Sequence, residues 1–183
     1  MGFPVFLDAC VLVPIRLADL LLRLAEAETY RPLWSPQVLT EVGRNLPRLG
    51  VDPAKAQRRV QHMLDEFPDA MVTGYDDLVS AMTNDPKDRH VLAAAVHAKA
   101  AVIVTANLRD FPPDALSPYR IRALHPDDFL LDQLDLHLRQ TLACVRDQIA
   151  AYRRPPLSVD GFLDGFAKCV PRFAETVREL LGA

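Results

Sequence analysis

A chain of 183 residues, half of them hydrophobic, has the length and apolar content for one sizeable core plus a small appendage. No run reaches the ~18 apolar residues of a membrane span, and the opening residues lack the basic segment of a leader peptide. The formal charge of −3 does not announce a nucleic-acid binder, and three scattered cysteines, Cys10, Cys144 and Cys169, read as free thiols of a reducing cytoplasm rather than a disulfide frame or zinc site.

In chain order, Phe3 to Leu7 reads as a buried strand. Leu17, Leu20, Leu21 and Leu24 then recur at helical spacing within the stretch from Ala9 to Glu28. Leu33-Trp34 is a short extended piece, and Ser35-Pro36 opens a helix that contains Glu41. Asp52-Pro53 opens another after Gly50, and Met71 to Thr73 reads as a second strand. Asp85-Pro86 starts an alanine-rich helix that runs to about Lys99. The most strand-like stretch, Ala101 to Thr105, follows almost without a loop, and an edge strand is expected at Arg120 to Leu124. Strands alternating with helices at this spacing argue for βαβ units and a parallel, doubly wound sheet.

Beyond His125-Pro126 the pattern is helical only, so a boundary is expected between a domain at 1–125 and an α-helical C-terminal extension at 126–183. Leu134, Leu138, Leu142, Val145 and Ile149 form an apolar stripe that must dock somewhere, and folding back on the same chain is the expectation. Arg153-Arg154-Pro155-Pro156 breaks the pattern, after which Ser158 caps a helix with Phe162, Leu163 and Phe166 inward and Pro171 begins a last one.

The chemistry lies in carboxylates placed at expected strand and helix ends: Asp8, Glu41, Asp85, Asp88 and Asp110. Ligands of open parallel sheets bind beyond the carboxyl ends of the strands, and converging carboxylates there suit hard divalent cations. Each residue also has a plainer reading. Asp8 and Asp85 are placed to cap helices, Asp88 lies in a first turn where negative charge is favoured, Asp110 can end a turn, and Glu41 sits on a polar stretch. Competing motifs fail. Cys10 stands where a haloacid-dehalogenase-type phosphatase carries its second Asp, the seven glycines form no phosphate loop, and the histidines show no ligand spacing, so His90 and His97 read as packing or solvated residues. Arg44, Arg48, Lys55, Arg58 and Arg59 cluster as either a solvated helix face or a phosphate-contacting rim.

Taken in order, Phe6-Leu7-Asp8, Ser35-Pro36 to Glu41-Val42, Asp88-Arg89-His90-Val91-Leu92-Ala93-Ala94-Ala95 and Val102 to Phe111 make residues 3–125 resemble the PIN-domain ribonucleases. The likeness is greatest to the toxins of VapBC-type toxin–antitoxin pairs, in a longer subgroup with a helical tail. The resemblance implies a PIN-like parallel twisted sheet of about four to five strands flanked by helices. It also implies an acidic pocket holding Mg2+ or Mn2+ that hydrolyses RNA phosphodiester bonds with a metal-activated water. Its carboxylates map onto Asp8, Glu41, Asp88 and Asp110, with Asp85 as a cap or supplementary ligand, and with Thr105 and Asn107 in support. This chain departs from many relatives at Asn107, where they carry an acid. Arg89, Arg109, Arg58 and Arg59 are candidate RNA contacts. A cytoplasmic location, a cognate antitoxin and a homodimer are further expectations. A catalytically silent binding module and a DNA- or structure-specific nuclease are the rival readings of the same fold.

Overall fold

The computed structural model describes residues 2–153 and 156–182. Four strands form one sheet: β1 (Pro4–Leu7), β2 (Arg31–Leu33), β3 (Val102–Val104) and β4 (Arg122–Leu124), in the order β2-β1-β3-β4 and parallel throughout. Val102, Ile103 and Val104 are all buried, as are Val5, Phe6 and Leu7, which is why both central strands read as unbroken apolar runs. From β1 the chain goes to one side of the sheet and later returns on the other. The switch therefore falls between β1 and β3, where a crevice opens at the carboxyl ends of a parallel sheet.

Helices cover both faces: α1 (Ala9–Leu12), α2 (Ile15–Glu26), α3 (Pro36–Arg48), α4 (Pro53–Glu66), α5 (Asp76–Val79), α6 (Arg89–His97) and α7 (Pro113–Leu116). The helical stretch expected from Ala9 is cut in two at Pro14, which cannot donate a backbone N–H within a helix. Ser35 and Asp52 cap α3 and α4 as their sequences indicate, accepting from Val38 N and Lys55 N. The expected strand at Met71 to Thr73 is reduced to a single bridge between Trp34 and Met71, so the sheet stops at four strands. Arg120 adopts a left-handed φ of 56°, which shortens the expected last strand to β4.

The tail consists of α8 (Pro126–Leu136), α9 (Leu138–Ala151), α10 (Val159–Ala167) and α11 (Pro171–Leu181). The apolar stripe spans two helices, because α8 ends before His137. Leu138 then falls at the exposed start of α9, whereas Leu134 and Val145 are buried. Part of the expected break, residues 154–155, lies outside the described residues.

The tail folds back on the core. On α9, Gln148 Nε2 donates to the Arg16 carbonyl at 2.9 Å. Arg16 of α2 lies over the rings of Tyr152 and Phe162, 5.6 and 5.5 Å from their centres. Gly165 leaves room for its guanidinium, since a Cβ there would collide with it.

Asp127, 4% exposed, closes the bundle. Its carboxylate accepts from Phe173 N at 2.8 Å and from Arg172 N and Nε at 3.2 Å, capping α11 from a different helix. Asp127→Ala is expected to destabilise the chain by about 1–3 kcal/mol, because the buried Phe173 N–H and the part-buried Arg172 N–H lose their acceptor. Urea unfolding measures this, and a loss below about 0.5 kcal/mol would show that the cap does not hold the tail.

Candidate active site

The register pairs Leu7 with Val104, and the ladder continues one step further through Asp8 N to Val104 O at 3.1 Å and Thr105 N to Leu124 O at 3.0 Å. Asp8 and Thr105 thus stand side by side at the ends of the two central strands. Thr105 Oγ1 donates to Asp8 Oδ2 at 2.7 Å and itself accepts from Asn107 N at 3.1 Å. The single turn of α1 brings Cys10 back over the same carboxylate, where its thiol donates to Asp8 Oδ2 at 3.1 Å. Burial and the Asp8 charge push that thiol up to about 12, so it remains protonated and serves as a donor.

Asp8 and Asp88 both occupy the residue before a helix, yet neither side chain caps it. Asp85 does cap, accepting from Lys87 N at 3.1 Å, as Asp52 does in α4. The structure therefore separates two carboxylates used for backbone capping from two that are withheld from it. Asp88 Oδ2 is buried with no hydrogen-bond partner, a costly arrangement for a carboxylate. Its carboxyl is pushed up to about 7, first by desolvation, then by the charge of Asp8, then by a hydrogen bond to Asp110. Asp110 is held below the usual carboxylate range, chiefly by the hydrogen bond from Lys87, whose Nζ lies 3.0 Å from Oδ2. The backbone ties the two loops together through Asp85 N to Asp110 O at 3.2 Å.

Glu41, on α3, turns to His90, with Oε1 3.2 Å from Nε2. That approach is off the line of a hydrogen bond, and both ring nitrogens of this buried histidine lack partners. Among the described residues, no three His, Cys, Asp or Glu side chains converge closely enough to form a closed metal site. Asp110 is drawn to Lys87, Glu41 lies beside His90, and burial with the charge of Asp8 favours the protonated form of Asp88.

The remaining candidates divide clearly. Asn107 contributes its backbone N–H, while its side chain is exposed. Arg109 and Arg58 are exposed, and Arg89 Nε donates to Asn84 O at 3.4 Å. The guanidinium of Arg59 is committed to the carbonyls of Leu12 and Val13 at the end of α1. Sequence reasoning missed Cys10, Lys87 and His90 as members of this neighbourhood. Only Cys10 carried a usable signal, being two residues after Asp8 on one helical turn. A surface cavity of about 510 Å3 beside Gly2, Tyr30 and Phe67 lies at the amino ends of the strands, away from all these carboxylates.

The donor set is oxygen, with one buried carboxylate oxygen unsatisfied and a second strand-end carboxylate held in place by Thr105 and Cys10. That fits a hard divalent cation that keeps several waters and needs few protein ligands.

A family model described as "PIN domain" matches residues 4–109, and one described as "VapC50 C-terminal domain" matches residues 126–179. The chain belongs to the PIN-domain family, in a VapC-type branch that carries a C-terminal extension. It is 50% identical over 134 residues, 73% of this chain and 78% of the other, to a Mycobacterium tuberculosis protein named "Putative ribonuclease VapC50". No solved structure gives a significant match.

Between the ordinary Asp value of 3.8 and about 7, folded Asp88 keeps a proton that the unfolded chain has released. The folded state therefore loses stability as pH rises through that window. With EDTA present, Asp88→Asn should melt above the wild type at pH 8 and level with it near pH 4, about 2–4 °C for each kcal/mol relieved. Thermal melts across pH check this. A variant no more stable than wild type at pH 8 would show that Asp88 bears no such burden.

Proposed function

We propose that this chain is a metal-dependent endoribonuclease and the toxin of a VapBC-type pair, acting in the cytoplasm and neutralised by a cognate antitoxin. The observation that carries the reading is the pair of carboxylates Asp8, at the end of β1, and Asp88, at the start of α6, neither spent on capping and the second raised in pKa by the charge of the first. Family membership and the likeness to a protein named as a ribonuclease support RNA as the substrate. Residues 1–125 act as the nuclease unit, and the tail at 126–183 supports it or presents a partner surface.

Asp8, Asp88 and Asp110 would hold Mg2+ or Mn2+, with Glu41 completing the set from α3 and Asp85 left as a cap. When bound, such an ion supplies Lewis-acid stabilisation of the phosphate and lowers the pKa of water. The protein's own residues do the positioning. Thr105 and Cys10 fix one oxygen of Asp8, which leaves the other free to face the crevice. Asp88, buried on one side, would be ionised by the bound cation where water competes poorly. Arg109 and Arg58, both exposed, would attract the RNA backbone.

Purified full-length chain should cut RNA with Mg2+ or Mn2+ and fail to cut it in EDTA. Asp8→Asn and Asp88→Asn should each lower cleavage at least about 100-fold while circular dichroism stays unchanged. Asp110→Asn should weaken metal binding more than Asp85→Asn, because Asp85 is occupied with Lys87 N. Full activity of a folded Asp88→Asn chain, or equal cleavage in EDTA, would sink the reading. Preferential cutting of DNA would assign the same pocket to the rival nuclease class.

A further inference from the structure

Lys87 stands between Asp85 and Asp88 on the 3-10 turn Pro86–Asp88, and its Nζ reaches across to Asp110 Oδ2 at 3.0 Å. Among the described residues, no other lysine or arginine forms an ion pair with Asp8, Asp88 or Asp110. The side chain is 65% exposed, so packing does not hold it in this pose. Nor does the local fold need the contact. The two loops are already joined by Asp85 N to Asp110 O, and the turn that carries Lys87 is capped by Asp85 through the Lys87 backbone N–H. The ammonium thus contributes charge at the mouth of the acidic pocket and leaves the backbone fixed without it.

An exposed ion pair of this kind adds little stability, but a movable positive charge beside clustered carboxylates has two chemical consequences. It opposes the entry of a second cation, and it is within reach of an anion brought to the same place. We propose that Lys87 is the pocket's internal counter-ion, neutralising Asp110 in the metal-free chain and turning to the RNA phosphate when metal and substrate are bound. Lysine suits this exchange, since its ammonium is a compact point charge on a flexible stem and binds phosphate without the fixed fork of arginine. The proposal rests on the metal-dependent nuclease reading and adds to it a residue that touches substrate.

The two halves of the proposal predict opposite signs in one variant. Mn2+ titration of the full chain at low salt should show Lys87→Met binding about three- to tenfold tighter than wild type, because a nearby positive charge is gone. RNA cleavage at saturating Mn2+ should fall about tenfold or more in kcat. The slope of RNA binding against salt should flatten by about one unit. Lys87→Arg should restore part of the cleavage and of the slope.

Weaker metal binding together with weaker cleavage would show a loop strap and overturn the proposal. Tighter binding with faster cleavage would show a mere competitor and overturn the substrate contact. A cleaving wild type matched by Lys87→Met in every readout overturns this proposal alone. A wild type that neither binds Mn2+ nor cuts RNA overturns the parent reading and this one together.

Discussion

Negative charge crowded where water is scarce is the constraint around which the site is built. Leu7 and Val104 pair in register, so the next residues, Asp8 and Thr105, are forced side by side at the switch point of the sheet. Asp8 is 4% exposed and relies on one hydroxyl and one thiol for hydrogen bonds. Asp88 is then placed close enough to feel that charge and too deep to hydrate both of its oxygens. Neighbouring features follow as partial answers to this repulsion: the raised pKa of the Asp88 carboxyl and the Lys87 ammonium on Asp110. A divalent cation would answer it more completely, which links the geometry to hydrolysis of a phosphodiester.

The tail bears on the site through α2, the helix that follows the Asp8 turn. Gln148 and the rings of Tyr152 and Phe162 all engage Arg16 there, and Cys144 Sγ approaches the Arg23 carbonyl at 3.6 Å. Asp127 in turn fixes α11 against α8. The extension is therefore packed onto the helix that follows the first carboxylate's turn, and much of its apolar surface is spent on this chain. Leu136 and Leu138, at the break between α8 and α9, stay exposed.

Much of the fold was legible because its signals are local. The run Val102-Ile103-Val104 has no reading other than a buried strand, and Ser35-Pro36, Asp52-Pro53 and Ser158 announce helix starts that the structure keeps. Met71 to Thr73 misled, since an apolar triplet cannot say how many partners it will pair with, and here it meets only Trp34. The carboxylates show a sharper limit. Asp8, Asp52, Asp85 and Asp88 all precede a helix, and their sequence does not say that Asp88 sits at the end of a 3-10 turn without the extended backbone of a cap, or that the Asp8 side chain turns to Thr105 and Cys10 instead of capping. Lys87 and His90 left no pattern to read. An exposed lysine between two acids resembles any solvated turn, and a buried histidine in an alanine-rich helix resembles packing until Glu41 is seen beside it. Arg59 was legible as a basic residue but not as a helix cap, because its partners lie 46 and 47 positions away.

The carboxyl titration of Asp88, followed by carbon-13 NMR with Asp88→Asn to assign its signal, tests the central claim most directly. In EDTA the carboxyl should titrate near 7, and saturating Mg2+ should move its midpoint down, toward or below the ordinary carboxylate range, because a bound cation favours the ionised form. An Asp88 that titrates near 3.8 without metal, or one whose midpoint Mg2+ leaves in place, would contradict the account.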